Sequence, residues 1–322
     1  MAWPTDRPLV EAPAPDPEAE PAGFVVLVEP GDRIHFLDWG GPTEDAAAGE
    51  PGVLLVHGLS GTSWLWAPVA RRLRRRRRTL AIDLRGHGLS DAPTAGYDRD
   101  ALADDVVAVA DGAGFLAGAG VVLAGHGFGA SIATWAAAEL GTACRGLVLV
   151  DGGWEDTRLA TGLEPDEFLR TIEEPPEVLR SMRAYLTDRK GFDPSSWDAD
   201  QERAARATVV ETHAGKVVPV SRPHVIASMV EAMFDYRPLE AIAAVECPIV
   251  ALIGMDDEEG TRVAALRRAQ DSLAGVGRPP IRELRFPHDA HNLMRYRPAE
   301  VTAAILAVAG GATMSRPGPS QE

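Results

Sequence analysis

The chain has 322 residues, 45% of them hydrophobic and 25% charged, enough to bury one large core, which excludes a peptide, a staple-dependent mini-domain and a mostly disordered chain. Its 32 Lys+Arg against 47 Asp+Glu leave a net charge of −15 at pH 7, so the counterion release that drives nucleic-acid binding is out of reach and no nucleic-acid partner is expected. No stretch approaches the roughly 18 consecutive apolar residues of a membrane span, so no membrane partner is expected either.

Residues 1–22 are rich in Pro, Ala and acidic side chains and lack the basic and apolar regions of a signal peptide. They read as a disordered tail on a cytoplasmic protein. From Phe24 onward, short β-branched runs alternate with longer helical patterns, the signature of a mostly parallel sheet covered by helices. Phe24 to Val28 and Ile34 to Asp38 flank the turn residues Pro30-Gly31-Asp32 and predict a hairpin. Six more strands are predicted at Gly52 to Val56, Thr79 to Ile82, Val121 to Ala124, Leu147 to Val150, Ile249 to Ile253 and Ile281 to Arg285. Helices are predicted between them at Trp64 to Arg77, Arg99 to Ala113, Phe128 to Glu139, Thr261 to Leu273 and Pro298 to Val308.

Residues 152–245 interrupt this alternation with helical periodicity at Glu167 to Ile172, Pro176 to Thr187, Asp200 to Glu211 and Pro223 to Phe234, and with no convincing strand. An insertion this long reads as a helical cap, dividing the chain into a core of 23–151 and 246–312 and a cap of 152–245, with a polar tail at 313–322. The arginines between Arg71 and Arg78 read as a solvated helix end that favours the negative pole of the macrodipole. Cys144 and Cys247 each precede an apolar run and lack metal or redox spacing, so both read as buried core thiols in a reducing compartment.

Three glycine-rich loops follow predicted strands, where open parallel sheets place their ligands. They are His57-Gly58-Leu59-Ser60-Gly61, then Asp83 through Asp91, then Gly125-His126-Gly127-Phe128-Gly129. Late in the chain come Gly254-Met255-Asp256-Asp257 and Ala290-His291-Asn292. In this order the motifs resemble the α/β-hydrolase superfamily, in the capped manner of esterases and epoxide hydrolases, from Phe24 to about Gly310. The resemblance implies a mostly parallel eight-stranded sheet with an inserted helical cap, a small-molecule substrate and no cofactor. It makes His291 the general base and Asp257 its orienting acid, with Asp151 the alternative acid and Asp256 a lesser one. The oxyanion hole falls to the amides of Leu59 and Phe128, and Ser60, His126, Trp154 and Tyr236 become candidates to touch substrate.

The departure from the family lies at the elbow centre. That position needs a nucleophilic side chain and here is Gly127, which keeps the turn but removes covalent catalysis. Ser60 and Ser131 sit elsewhere in the pattern, and His288, His213 and His224 read as structural or solvated. A base-orienting acid and an oxyanion hole can still activate water on a carbonyl or ester. The alternatives are a non-hydrolytic base-catalysed reaction, such as elimination, isomerisation or cyclisation, and a binding protein without turnover. Gly125 to Ala130 also fits the dinucleotide fingerprint Gly-x-Gly-x-x-Ala, with Asp151 ending the next strand, although that fingerprint belongs on the first strand of its sheet.

Overall fold

A computed structural model describes residues 20–42, 49–254, 260–287 and 289–309. The terminal tails, Met255, Asp256, Asp257 and His288 lie outside the described residues.

The chain opens with the antiparallel pair β1 (Ala22–Val28) and β2 (Asp32–Asp38), followed by β3 (Gly52–Val56), α1 (Ala67–Leu73), β4 (Thr79–Ile82), α2 (Arg99–Gly112), β5 (Val121–His126), α3 (Phe128–Leu140) and β6 (Cys144–Val150). The inserted segment carries α4 (Thr157–Thr161), α5 (Pro165–Thr171), α6 (Met182–Phe192), α7 (Ala199–Ala207), β7 (Val209–Glu211), β8 (Val217–Pro219), α8 (Pro223–Asp235) and α9 (Pro238–Ala244). The core resumes with β9 (Ile249–Ile253), α10 (Thr261–Gly275), β10 (Arg282–Arg285), α11 (Leu293–Tyr296) and α12 (Pro298–Ala309). Eight strands form one sheet in the order β1-β2-β4-β3-β5-β6-β9-β10, parallel from β4 to β10.

The unbroken apolar runs are explained by burial on both faces. Leu54, Val56, Leu123, Leu149 and Ala251 point into one layer with α2, α3 and α10, while Val53, Leu55, Val122, Val148 and Leu252 point into the other with α1 and α12. Alternate residues thus serve opposite layers, as the pleat requires. From β3 the chain crosses to β4 on one side, and from β5 to β6 on the other. The carboxyl ends of β3 and β5 therefore flank a topological switch point.

All eight strands predicted from the sequence are present, but the inserted segment departs from its helical reading. The predicted helix at Asp200 to Glu211 stops at Ala207, and Val209–Glu211 pairs antiparallel with Val217–Pro219. The β-branched run Thr208-Val209-Val210, followed by a turn at Gly215, outweighs the helical period there. The helix predicted from Pro176 begins only at Met182, because Ser181 is extended (φ −165°, ψ 158°) and its side chain caps the helix by accepting the Ala184 amide.

The arginine run is likewise more engaged than a solvated helix end. Arg71 pairs with Asp200 at 2.6 Å and stacks on Trp39, Arg77 meets Glu50 at 2.6 Å, Arg78 meets Asp38 at 2.8 Å, and Arg74 is buried. The acidic chain supplies a local carboxylate for each of these three paired cations.

Candidate active site

The loop after β3 is fixed by two buried histidines. His57 donates from Nδ1 to the Gly58 carbonyl at 2.8 Å and accepts the Leu84 amide on Nε2 at 3.0 Å. His87 accepts the Ser60 amide on Nε2 at 3.2 Å, with Nδ1 3.1 Å from the Arg85 carbonyl. Each ring thereby uses one nitrogen as donor and the other as acceptor, which only a neutral imidazole can do. Burial pushes both rings toward the neutral form, holding His87 down at about 3. Ser60 adopts a left-handed φ of 59° in this loop and is exposed.

Asp83 ties the neighbouring loop together. It accepts from His35 Nδ1 at 2.8 Å, the Ser63 amide at 2.6 Å and the Leu89 amide at 3.1 Å. Burial alone would raise its proton affinity, but these donors overcome that and hold the carboxyl below its ordinary range.

At the elbow, Gly127 has φ 53° and ψ −124°, a conformation that costs any other residue strain. The three elbow glycines differ in why they are small. A Cβ on Gly125 would overlap the Gly129 carbonyl, and one on Gly129 would overlap the His57 carbonyl. Both are dictated by the close approach of α3 to the ends of β3 and β5. At Gly127 the nearest atom to an ideal Cβ is instead a side-chain atom, His291 Nε2 at 3.1 Å, with no backbone nearer than Gly58 Cα at 4.0 Å. Gly129→Ala is accordingly expected to lower stability by more than about 3 kcal/mol, or to prevent folding, whereas Gly127→Ala should cost backbone strain of about 1–3 kcal/mol with a small shift of His291. Urea denaturation midpoints would separate the two, and equal losses would contradict this packing account.

His291 is held from two sides. Its Nδ1 lies 2.6 Å from Asp151 Oδ2, and its carbonyl accepts from His126 Nε2 at 3.1 Å. The His126 ring lies against it with centroids 4.3 Å apart. Burial first, and the neighbouring His291 second, keep His126 neutral down to about 3. With Nδ1 donating to Asp151, His291 Nε2 is left as an acceptor facing the Cα of Gly127.

Asp151 follows β6 directly, with a φ of 51° and a fully buried side chain. Besides His291 it accepts the Gly254 amide and Arg262 Nη1, each at 2.8 Å. Desolvation opposes its charge, but the bonds from His291 and Arg262 prevail and its proton affinity lies below the ordinary range. Arg262 also pairs with Glu155 at 3.1 Å and lies over the Trp154 ring. Neither Arg262 nor Glu155 stands out in the sequence, since no motif or spacing links position 155 or 262 to 151.

Of the residues singled out in the sequence, His291 and Asp151 meet at 2.6 Å, a side chain on Gly127 would begin 3.1 Å from His291 Nε2, and His126 backs them. Asp257 and Asp256 lie outside the described residues; His291 Nδ1 faces Asp151, the alternative acid. The Phe128 amide opens α3, where the first-turn donors lack intrahelical acceptors and the macrodipole is positive. Trp154 and Tyr236 are each 1% exposed and pack in the core, and the Tyr236 hydroxyl donates to the Gly153 carbonyl at 2.7 Å. Ser131 is buried within α3. Asp151, the residue a dinucleotide ribose would need, is committed to His291 and Arg262.

A model of the α/β hydrolase family matches residues 53–305. Among curated proteins, the chain is similar to a 2-(acetamidomethylene)succinate hydrolase of Mesorhizobium japonicum, with 38% identity over 43% of this chain and 49% of that protein. It is also similar to an N-formylmaleamate deformylase of Pseudomonas putida, with 36% identity over 38% and 42% of the two chains, and to epoxide hydrolase 4 of Mus musculus, with 33% identity over 37% and 31%. The matched stretches thus span less than half the length of each of these relatives. The crystal structure of E-2-(acetamidomethylene)succinate hydrolase superposes with a TM-score of 0.73 at 22% identity, over 91% of this chain and all of that one. The thioesterase domain of a curacin biosynthetic pathway superposes at 0.65 and 19% identity, over 89% of this chain and 100% of that one. Family match, sheet order and the elbow between β5 and α3 agree, and the chain belongs to the α/β hydrolase family.

Proposed function

We propose that the protein hydrolyses a small carbonyl or ester compound without an acyl-enzyme. In this reading His291, oriented by Asp151, takes a proton from water on Nε2 as the water oxygen attacks the carbonyl carbon. The amides of Leu59 and Phe128 receive the negative oxygen that forms. The proton then passes from Nε2 to the departing alkoxide or amine. Oxyanion stabilisation and binding by themselves leave roughly 10³–10⁴-fold catalysis in hydrolases deprived of triad members.

The observation that carries the reading is the 3.1 Å between His291 Nε2 and the point where a side chain on Gly127 would begin. A base held by a buried carboxylate faces the family's nucleophile position, and with no side chain at 127 the attacking atom must come from solvent. The named activities of the hydrolase and deformylase relatives make small acyl or amide compounds the first substrates to try. We read residues 152–245 as a cap over this site. The contacts in its support include Val225 of α8 packing where a side chain on Gly86 would sit, His224 Nε2 meeting the Pro93 carbonyl at 3.1 Å, and Arg295 donating to the Asp193 carbonyl at 2.7 Å.

The test is turnover of a panel of small esters and amides by the natural chain and by His291→Ala. Loss of general-base action is expected to lower the rate on the order of 10²–10⁴-fold. Oxygen-18 from labelled water should enter the acid product, which distinguishes hydrolysis from elimination or isomerisation. A His291→Ala variant as active as the natural chain would overturn the mechanism, and a natural chain inert to every substrate would favour a binding role.

A further inference from the structure

The two cysteines stand 103 positions apart in the sequence, yet the fold brings Cys247 Sγ to 3.5 Å from Cys144 Sγ. Both are free thiols. Cys144 opens β6, and Cys247 lies two residues before β9, its parallel neighbour. The ladder pairs Leu147 with Ile249, while the opposite edge of β6 carries an extra residue at Arg145. Carrying the β6–β9 register backward past that extra residue sets Cys144 beside Cys247. Adjacent strands place Cα atoms within the range a disulfide can bridge.

We propose that Cys144 and Cys247 are a disulfide-forming pair, oxidised by low-molecular-weight disulfides. Cys144 is buried at 3% exposure and Cys247 is partly exposed, so the outer thiol meets the oxidant. The Cys247 thiolate attacks one sulfur of the small disulfide and expels one thiolate, leaving a mixed disulfide on Cys247. The Cys144 thiolate then attacks the Cys247 sulfur and expels the second. Two protein thiols give up two electrons and two protons, and one small disulfide becomes two thiols. In the reduced pair the Cys247 S–H donates to Cys144, which with burial raises the proton affinity of Cys247, so formation of the Cys247 thiolate is the slow step.

The bond would close a loop from 144 to 247 that contains all of the inserted segment and Asp151. It lies at the amino ends of the strands, opposite the elbow. The consequence is therefore stability rather than a change at the site, because the cross-link restricts the unfolded chain over a long loop.

The experiment treats the full chain with excess oxidised glutathione under native conditions. The intact mass should fall by two hydrogens, both thiols should disappear from titration, and a non-reducing digest should yield the Cys144 and Cys247 peptides joined. The melting midpoint should rise on the order of 5 °C and return on reduction with dithiothreitol. Cys144→Ser removes the resolving thiol and should instead accumulate a stable glutathione adduct on Cys247. A natural chain that ends as that same adduct would overturn the proposal. So would thiols that stay reduced in the folded protein but react freely in urea.

Discussion

Gly127→Ser is expected to turn a protein that no fluorophosphonate labels into one labelled at a single serine. The backbone at 127 already holds φ 53° and ψ −124° without a side chain to require it, so the new residue inherits a turn built to project a nucleophile. The ideal Cβ meets His291 Nε2 at 3.1 Å and Cε1 at 3.4 Å, which is tight by a few tenths of an ångström. His291 can give way, because its side chain is 49% exposed and hinges on one bond to Asp151. The hydroxyl then has an acceptor in Nε2, with the orienting Asp151 and the amide at the start of α3 already present. Hydrolysis of small activated esters should rise on the order of 10²-fold or more, given what triad members are worth in serine hydrolases. The strained φ should cost about 1–3 kcal/mol of stability, read as a lowered melting midpoint. Gly127→Ser with His291→Ala should be neither labelled nor active. A folded Gly127→Ser protein that stays unlabelled would show that the elbow and His291 do not form a nucleophile–base pair. If the natural chain uses water directly, the same substitution leaves its native reaction unchanged or slows it by crowding the substrate.

Acid should unfold this protein well before most of its carboxylates titrate. His87 and His126 are fully buried and held neutral down to about 3, chiefly by desolvation, and burial lowers His57 in the same direction. In the unfolded chain each takes up a proton near its ordinary value of about 6.5. The unfolded state therefore binds more protons than the native state between roughly pH 6.5 and 3, and stability must fall as pH falls through that window. At pH 5 the loss is about 2 kcal/mol per histidine, or about 4 for His87 and His126 together, with His57 adding to it. Against a typical total of about 5–15 kcal/mol, that is a large fraction. Asp83 and Asp151, held below their ordinary range, contribute stability that persists above about pH 4 and is lost only further down. Urea midpoints at pH 7.5, 6 and 5 would measure the slope. His126→Gln, whose amide reaches the Nε2 position and can still donate to the His291 carbonyl, should reduce the slope by one proton. A stability that is flat from pH 7.5 to 5 would mean that these rings are protonated in the folded protein.

Much of the fold was legible because strands buried on both faces read as continuous apolar runs. Gly52–Val56 and Ile249–Ile253 are buried at every position, and nothing local competes with that pattern. The loops at 57–61 and 125–129 were equally legible, since Gly125 and Gly129 are fixed by backbone packed where a Cβ would go and a Cβ on Gly58 would press on the His126 carbonyl at 3.0 Å. The inserted segment was less so. Its short elements follow β-branched residues and prolines as much as helical period, and the pairing of Val209 with Pro219 depends on a turn.

What the sequence by itself determined is the set of strands, the loops that follow them, and the absence of a nucleophile at Gly127. These rest on local chemistry: apolar alternation, turn residues and the side chain a position lacks. Only the tertiary structure decided which carboxylate faces His291, because β6, β9 and the loop of His291 are brought together by sheet order across 140 positions. The same holds for Arg262 on Asp151, for the burial of Trp154 and Tyr236, and for the approach of Cys144 to Cys247. Each of these depends on which strands become neighbours and in what register, and neither is written in the local period of the chain.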